Sequence, residues 1–326
     1  MTPSIMPRLS VIIPAHNPHA GRLRRTLSGL CSQTLPASDW ETVLVDNASA
    51  PPLEIGALAG ACPPNLRLVR EPVPGLSHAR QRGFEEARGD LFVLVDDDNV
   101  LDPSYLGRVV ELFATHSRIG ALGGPCRPEF ERAPQAWQAE FFGLLALRDL
   151  GPAPLIAGLR QSEKDEQDTY PLCAPVGAGM ALRRAAIQSW MDRADPASLT
   201  DRRGTTLTSG GDNDIVIHVL RAGWQVAYFP ELELTHLIPD GRLKPDYLAR
   251  LNRGIQKSWM QVLTLHDLND WPPIPGWTVP LRQLKAWFTY RAWTGSPARI
   301  RWQGACGHFE GRATRTSTSA SSEARE

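Results

Sequence analysis

The chain of 326 residues is predicted to form an α/β fold with a doubly wound, mostly parallel sheet and a helical C-terminal appendage. Short and nearly continuous apolar runs suit strands that helices cover on both faces. These runs alternate with segments whose apolar residues recur at helical spacing, which is the pattern of repeated β-α units. No run approaches the roughly 18 apolar residues that a membrane span requires.

The strands and helices of the first half follow from this alternation. Four strands are predicted, over residues 9–14, 42–46, 66–69 and 91–96. Helices are predicted over residues 22–33 and 77–88 and from Asp102 onward, where Asp102-Pro103 fits an N-cap followed by proline.

The second half is less regular. Residues 151–168 are polar and irregular, which predicts a mobile loop. Helices are then predicted over 212–221 and 247–265, with a strand over 226–229 between them. From Thr314 onward the composition predicts disorder.

Charge and cysteine content narrow the function classes. Lys+Arg and Asp+Glu both count 35, so the net charge is zero and a nucleic-acid partner is not expected. The five cysteines are odd in number and contain no CxxC, which argues against a disulfide framework or a cysteine zinc site. We expect them to be buried as small hydrophobic residues in a reduced, cytoplasmic compartment. Residues 1–8 lack the apolar segment of a secretory signal.

Polar clusters follow three of the predicted strands, at 14–17, 46–49 and 96–99. Ligands of open α/β sheets bind outside the carboxyl ends of the strands, so these clusters are expected to face one site. Each aspartate taken alone could instead cap a turn. No GxGxxG follows the first strand and no GxxxxGK[ST] occurs, which argues against a dinucleotide oxidoreductase and a P-loop NTPase.

Two groups of aspartates are candidates for cation binding and for acid–base catalysis. Asp96, Asp97 and Asp98 repel one another unless a cation neutralises them, and oxygen ligands favour Mg²⁺ or Mn²⁺. In a strand-like geometry Asp96 and Asp98 point the same way and form the natural pair for one ion. The second group, Asp212 and Asp214, opens a predicted helix, where it could cap the helix or supply a general base.

Six segments in order resemble the inverting family 2 glycosyltransferases of the GT-A fold, a Rossmann-like sheet, over Leu9 to about Trp259. They read LSVIIPAHN, VLVDNAS, GLSHARQRGFEEARGD, LFVLVDDDNVLDPSYL, PVGAGMALRR and SGGDNDIVIHVLRAGWQVAYFPELELTH. The resemblance implies a nucleotide-sugar donor, with a UDP-sugar as the default, a divalent cation (Mn²⁺ or Mg²⁺), and transfer to an acceptor hydroxyl. It also implies a role in cell-envelope or other glycan synthesis, with a glycan or a lipid-linked acceptor.

The resemblance assigns roles residue by residue. Asp212 matches the catalytic aspartate, and Asp98 of the DxD-like run matches a ligand of the cation, as does His236. Nucleotide-sugar binding is implied for Pro14, Ala15, His16, Asn17, Asp46, Arg80, Asp96 and Asp97. The sequence departs from the family pattern at His16, at Gln81, and at Gly211, which stands where the family has glutamate. Asp214 remains nearby as a carboxylate that could take over from that glutamate.

The same reading divides the chain into segments. We expect a catalytic domain over 1–239, with a nucleotide-binding half over about 9–125, an acceptor half over about 126–239, a helical appendage over 240–312 and a disordered tail over 313–326.

The stretch from Trp271 to Phe309 contains no Asp or Glu, five bases and eight aromatic residues. The bases are Arg282, Lys285, Arg291, Arg299 and Arg301, and the aromatics are Trp271, Trp277, Trp287, Phe288, Tyr290, Trp293, Trp302 and Phe309. Such a segment suits a peripheral membrane contact, here at the inner, cytoplasmic face of the membrane. The alternative is that the aromatics pack a helical appendage while the bases stay in water.

Two further functions stay open at this level. The first is an inactive GT-A homologue that only binds nucleotide-sugar or glycan, for which Gly211 is the support. The second is a nucleotidyltransferase, which would want a glycine- and lysine-rich loop after the first strand, where this chain has 14–17 instead.

Overall fold

The computed structural model describes residues 6–58, 60, 62–63, 65–161, 168–192 and 210–314. Its α-helices are α1 (Ala20–Cys31), α2 (Leu76–Glu86), α3 (Tyr105–Thr115), α4 (Gln188–Met191), α5 (Gly211–Arg221), α6 (Pro245–Leu265), α7 (Val279–Thr289) and α8 (Ser296–Arg312). The strands of the N-terminal part are β1 (Leu9–Ala15), β2 (Trp40–Asn47), β3 (Leu66–Glu71), β4 (Leu91–Leu94), β5 (Asn99–Leu101), β6 (Ile119–Gly123) and β7 (Cys126–Phe130). The remaining strands are β8 (Leu155–Ala157), β9 (Arg160–Gln161), β10 (Asp168–Thr169), β11 (Ala181–Arg183), β12 (Gln225–Tyr228), β13 (Leu234–Ile238), β14 (Ile274–Pro275) and β15 (Ala313–Thr314).

The main sheet has eight strands in the order β3-β2-β1-β4-β11-β6-β12-β8. The first four are parallel to their neighbours, whereas β11 runs antiparallel between β4 and β6, and β8 antiparallel along β12. The chain starts at β1, adds β2 and β3 on one side of it, and then returns to place β4 on the other side. The predicted doubly wound, mostly parallel α/β fold is therefore confirmed.

Both faces of the sheet are covered, as the apolar runs predict. Every residue of β1 and β2 is buried. Val11 and Ile13 pack into a cluster with α1 and α3, whereas Ile12 packs into a second cluster with α2 and α5. Alternate residues of a strand point to opposite faces, so a strand between two layers of helices needs apolar residues at every position.

The strand that leads to the three aspartates is shorter than predicted. It ends at Leu94, and a turn follows in which the Asn99 N–H donates to the carbonyl of Asp96 over 3.1 Å. The strand-like alternation expected for Asp96 and Asp98 is therefore wrong, because their backbone turns rather than extends.

The predicted loop at 151–168 also differs. Leu155–Ala157 form the edge strand β8, so this part is not a mobile loop. Residues 162–167 and the predicted disordered tail after Thr314 lie outside the described residues. The cysteines form no disulfide; Cys126, Cys173 and Cys306 are buried as expected, whereas Cys31 and Cys62 are exposed, contrary to the prediction.

A second sheet places a histidine beside the aspartate turn. Strand β13 lies between β5, to which it is antiparallel, and β7, to which it is parallel. The register sets His236 opposite Asn99, the residue that follows Asp98. The main chain is held there too, since the Leu237 N–H donates to the Asp98 carbonyl over 2.9 Å.

The C-terminal helices pack closely because α8 presents glycines to α6. A β-carbon built on Gly307 would lie 2.0 Å from the carbonyl oxygen of Arg253, so no larger residue fits without moving a helix. Gly304 and Gly311 face α6 in the same way, with would-be contacts at 2.5 and 2.6 Å. In the described part of the chain, no helix is both long enough and apolar enough to cross a membrane.

We expect Gly307→Ala to lower the free energy of unfolding by about 1–3 kcal/mol, because the added methyl group overpacks the contact between α6 and α8. Urea unfolding followed by circular dichroism measures this change. The matched control is Gly107→Ala in α3, where a β-carbon would meet nothing within 4 Å. This control is expected to gain about 0.5–1 kcal/mol from helix propensity. A Gly307 variant as stable as the control would contradict the close helix contact.

Candidate active site

The three predicted polar clusters meet at one edge of the sheet. Strands β2, β1 and β4 are adjacent and parallel, so the loops after them leave from the same side. Ala15 pairs with Asp46 at the end of β1, and the Val95 N–H donates to the Ile12 carbonyl over 3.0 Å. The structure therefore brings residues 14–17, 46–49 and 96–99 to one edge.

The loop after β1 is tied to the loop after β2. Pro14 and Ala15 are buried in the strand, whereas His16 and Asn17 are exposed. The Nδ1 of His16 lies 2.6 Å from the carbonyl oxygen of Asn47. Asn17 adopts φ = 46°, a left-handed conformation that asparagine tolerates better than most residues. The exposed imidazole and amide are thus held in place at the rim of the site.

Asp46 is buried at the end of β2 and shapes its loop. Its two carboxylate oxygens accept the N–H groups of Ser49 and Leu53, each over 3.1 Å, and Arg70 forms an ion pair with it. Burial opposes ionisation of Asp46, but the hydrogen bonds and the Arg70 charge outweigh it, so the pKa of Asp46 falls below its usual value. Its carboxylate is thus occupied within the protein.

The aspartate turn is a strongly acidic site. Burial, together with the charges of Asp98 and Asp96, raises the pKa of Asp97 to about 7. The guanidinium of Arg242 lies 3.2 Å from the Oδ2 of Asp98. Burial likewise opposes the charge of Asp98, but His236 and Arg242 lower its pKa below the usual range. Sequence reasoning missed Arg242, which lies 144 residues away and belongs to no motif quoted above.

The surroundings of His236 bear on whether it could bind a cation. It is buried, and its Nε2 lies 3.4 Å from the Oδ1 of Asp98. Neither ring nitrogen makes a hydrogen bond to any part of the protein that the structure describes. A buried polar side chain without hydrogen bonds is rare, and one with a free ring nitrogen beside carboxylates offers a ligand to a metal ion. Asp98 and His236, predicted as cation ligands, do lie together.

Asp212 lies in the first turn of α5 and meets two groups from distant segments. Its Oδ1 pairs with the guanidinium of Arg80, which is buried in α2, and its Oδ2 accepts the Gly177 N–H over 2.9 Å. A β-carbon on Gly177 would lie 2.5 Å from that oxygen. The Asp212 side chain is 27% exposed, so a ligand can still reach the carboxylate.

The backbone around Gly177 links this pair to the aspartate turn. The Gly179 N–H donates to the carbonyl of Leu94, the last residue of β4, over 2.9 Å, and the Leu94 N–H donates back to Met180. Gly179 has φ = +74°, and its carbonyl accepts the hydroxyl of Tyr105 over 2.5 Å. The short segment 177–180 therefore joins Asp212 to the end of β4, the strand that precedes the aspartate turn.

Asp214, two residues after Asp212, contacts a different set of residues. Its Oδ2 accepts the indole N–H of Trp190 over 2.7 Å, and its Oδ1 lies 2.7 Å from the Nε2 of His266 at the end of α6. The N-cap, Gly210, makes no side-chain cap hydrogen bond, and both carboxylates are engaged elsewhere. Both aspartates lie in the first turn, where negative charge is favourable at a helix N-terminus.

A further cluster of possible metal ligands surrounds Asp214. Asp214, His218 and His266 each offer a ligand atom, and these atoms lie within 4.8 Å of one another. The short contact between His266 and Asp214 already has the length of a hydrogen bond. Sequence reasoning missed His266, which lies 52 residues from Asp214 and has no motif around it.

Comparisons with known proteins fit the fold and these motifs. The sequence model described as "Glycosyl transferase family 2" matches residues 10–190. A glucosyl-dolichyl phosphate glucuronosyltransferase of Haloferax volcanii is 21% identical over 58% of this chain and 56% of its own length. The succinoglycan biosynthesis protein ExoW of Rhizobium meliloti is 31% identical over 31% of this chain and 32% of its own. This chain thus spans about half or less of these two relatives.

A longer match is the succinoglycan biosynthesis protein ExoM of Rhizobium meliloti, which is 23% identical over 82% of this chain and 78% of its own. Among solved structures, crystal structures of S. aureus TarS 1-349, alone and in complex with UDP, cover 93% of this chain and 89% of their own. They align with TM-scores of 0.50 and 0.51 at 13% identity, which establishes a shared GT-A fold. Because the family model matches more than half of the sequence, this chain belongs to glycosyl transferase family 2.

Proposed function

We propose that the chain transfers a sugar from a nucleotide-sugar donor to an acceptor hydroxyl, with inversion and with the help of a divalent cation. The observation that carries this proposal is the placement of Asp212, a reachable carboxylate oriented by Arg80 and by the Gly177 N–H. The backbone segment that orients Asp212 also pairs with the end of β4, just before the aspartate turn. The base and the acidic site would then act on one substrate.

The donor would lie along the edge formed by the loops after β1, β2 and β4. Residues 14–17, Asp46, Asp96 and Asp97 would contact the nucleotide-sugar. Arg80 was expected to face the nucleotide and contacts Asp212 instead, so any contact with the donor would be additional to that ion pair. UDP is the default nucleotide; the UDP complex of S. aureus TarS supports it by analogy of fold.

The residues around Asp98 suit Mn²⁺ or Mg²⁺. Carboxylate oxygens are preferred by both ions, and the buried His236 ring, which makes no hydrogen bond to the described residues, offers a nitrogen. Burial first, and the charges of Asp98 and Asp96 second, raise the pKa of Asp97 to about 7, so a nearby positive charge would favour its ionised form. When bound, a divalent cation would neutralise the charge that develops on the leaving diphosphate. Asp98 and His236 would hold it.

The chemical role proposed for Asp212 is that of general base. The acceptor oxygen would form a bond to the anomeric carbon, the bond from that carbon to the diphosphate would break, and Asp212 would take the hydroxyl proton. Attack from the face opposite the diphosphate inverts the anomeric centre. Gly211, where relatives are expected to have glutamate, leaves Asp212 and its two partners to orient the acceptor.

The acceptor is proposed to be a glycan or a lipid-linked sugar in cell-envelope or other glycan synthesis, as the names of the relatives suggest. A peripheral contact with the cytoplasmic face of the membrane, through residues 271–309, belongs to the same proposal. Its support is the set of exposed aromatic side chains in that segment. The catalytic domain is likewise proposed to end at residue 239 and the helical appendage at residue 312.

We expect Asp212→Asn to lower kcat for sugar transfer by about 10²–10⁴-fold, because an amide cannot accept the acceptor proton. UDP binding in the presence of Mn²⁺, measured by calorimetry, should stay near the wild-type value. The control is Asp270→Asn, which changes an exposed aspartate outside the site. Transfer by the Asp212 variant at the wild-type rate would remove this residue from the role of base.

We expect Asp98→Asn and His236→Gln each to weaken Mn²⁺ binding in the presence of UDP by at least about tenfold, because each removes a proposed ligand. Electron paramagnetic resonance of free Mn²⁺ measures the bound fraction directly. Asp270→Asn again serves as the control. Unchanged Mn²⁺ affinity in both variants would place the cation elsewhere, with the cluster around Asp214 the next to test.

We expect Gly177→Ala to lower kcat by about 100-fold. The added methyl group would lie 2.5 Å from the Asp212 carboxylate and 2.6 Å from the Arg80 guanidinium, so the two side chains would have to move. Steady-state release of UDP in the presence of acceptor measures the loss. Gly56→Ala is the matched control, since a β-carbon there would meet nothing within 4 Å. A fully active Gly177 variant would show that the position of Asp212 is less tightly set than proposed.

A further inference from the structure

Helix α7 exposes one apolar face to solvent. Leu281, Leu284 and Phe288 are 62%, 56% and 61% exposed, and their spacing of three and four residues places them on the same side of the helix. Trp277 before the helix and Trp293 after it are also more than half exposed. Large apolar side chains gathered on one surface mark an interaction site far more often than chance exposure does.

Five of the eight aromatic residues of this segment fall into two groups. Trp287 and Trp302 pack edge to face with their ring centres 4.7 Å apart, and they join α7 to α8. Trp277, Phe288 and Trp293 belong to the exposed surface. The packing alternative therefore holds for the first group, whereas the second group is left without a partner among the described residues that would bury it.

A cationic cavity lies directly beside the apolar face. Arg282, Lys285 and Thr289 each follow one of its apolar residues by one position, so they occupy the neighbouring side of α7. They line a cavity of about 640 Å³ between α6, α7 and α8, together with Arg301 and His308. None of the described residues that line it carries a carboxylate.

The bases of this surface are not all neutralised by the protein. Arg301 pairs with Glu140 and Arg299 pairs with Asp246, both carboxylates from outside the segment. Within the described part of the chain, no carboxylate forms an ion pair with Arg282, Lys285 or Arg291. Unpaired cations beside an apolar face are complementary to a surface that is anionic at its headgroups and apolar below them.

We propose that α7 docks on an anionic lipid surface. Leu281, Leu284 and Phe288 would enter the boundary between headgroups and acyl chains, flanked by the two exposed tryptophans. Lipid phosphate groups would bind at Arg282 and Lys285, at the mouth of the cavity. This inference sharpens the membrane contact proposed above and names its residues, and it does not depend on which sugar is transferred.

A second copy of this chain is the other occupant to consider for an apolar face. A twofold contact between two α7 faces would bring the unpaired bases of both copies together, because such an interface uses the same patch twice. Like charges at close range oppose that contact, whereas phosphate groups favour the lipid one. The charge of the surface therefore selects the membrane.

The test uses the full chain and sedimentation with vesicles of phosphatidylcholine alone or mixed with phosphatidylglycerol. We expect binding to the mixed vesicles only, and a loss of about tenfold or more in the double variants Leu284→Glu/Phe288→Glu and Arg282→Ser/Lys285→Ser. Controls are Ile55→Glu, an apolar residue outside the segment that is 45% exposed, and Arg108→Ser, an exposed base on α3. Both controls should bind as the wild type does.

Three results would overturn the proposal: equal binding to both vesicle types, unchanged binding by both α7 variants, or no binding together with dimerisation in sedimentation velocity. Circular dichroism checks that the variants are folded. Inorganic phosphate, added in place of vesicles, reports whether the cavity takes a free anion; release of vesicle-bound protein by phosphate alone would count against the apolar face. Donor hydrolysis by the same preparations separates a failure of docking from a failure of the proposed sugar transfer.

Discussion

The ion pair between Arg80 and Asp212 is the contact on which the candidate site depends. Arg80 is buried in α2, and a buried guanidinium is costly unless a carboxylate and hydrogen bonds compensate its charge. The pair joins residues that are 132 positions apart in the sequence, one in α2 and the other at the start of α5. It also leaves space for a backbone N–H from Gly177, and only a glycine fits there. Three separate segments thereby orient one exposed carboxylate.

The C-terminal helices are connected to this carboxylate through its own helix. Asp214, two residues after Asp212, contacts the ring of His266 at the end of α6. The guanidinium of Arg221, at the end of α5, donates a hydrogen bond to the backbone carbonyl of His266. Since the glycines of α8 allow it to lie close against α6, and α7 packs on α8, the helices form one continuous body with the start of α5. A series of packed contacts therefore links the surface that α7 exposes to the start of α5.

A net charge of zero conceals two opposed regions. The first region is the run of three aspartates. Burial, together with the charges of Asp98 and Asp96, raises the pKa of Asp97 to about 7, even though Arg242 lies nearby and opposes the shift. The stretch from Trp271 to Phe309 has bases and no carboxylates. A chain with balanced totals can thus concentrate acidic groups in one place and basic groups in another.

Local sequence determined five of the eight α-helices that the structure describes, five of the eight strands of the main sheet, and the edge at which polar residues gather. Apolar periodicity and the direction of parallel strands are properties of neighbouring residues, which is why they could be predicted. Local sequence also determined the family, since six motifs occur in order. It could not determine that Asp96–Asn99 is a turn, that residues 155–157 form a strand, or which aromatics of the last helices are buried. Arg242 and His266 gain their importance from side chains more than 50 residues away, so no pattern around them marks it. Gly177 lies in the segment PVGAGMALRR, but its contact with Asp212 is decided by the fold. Contacts of that kind depend on how the layers pack, and only the tertiary structure decides them.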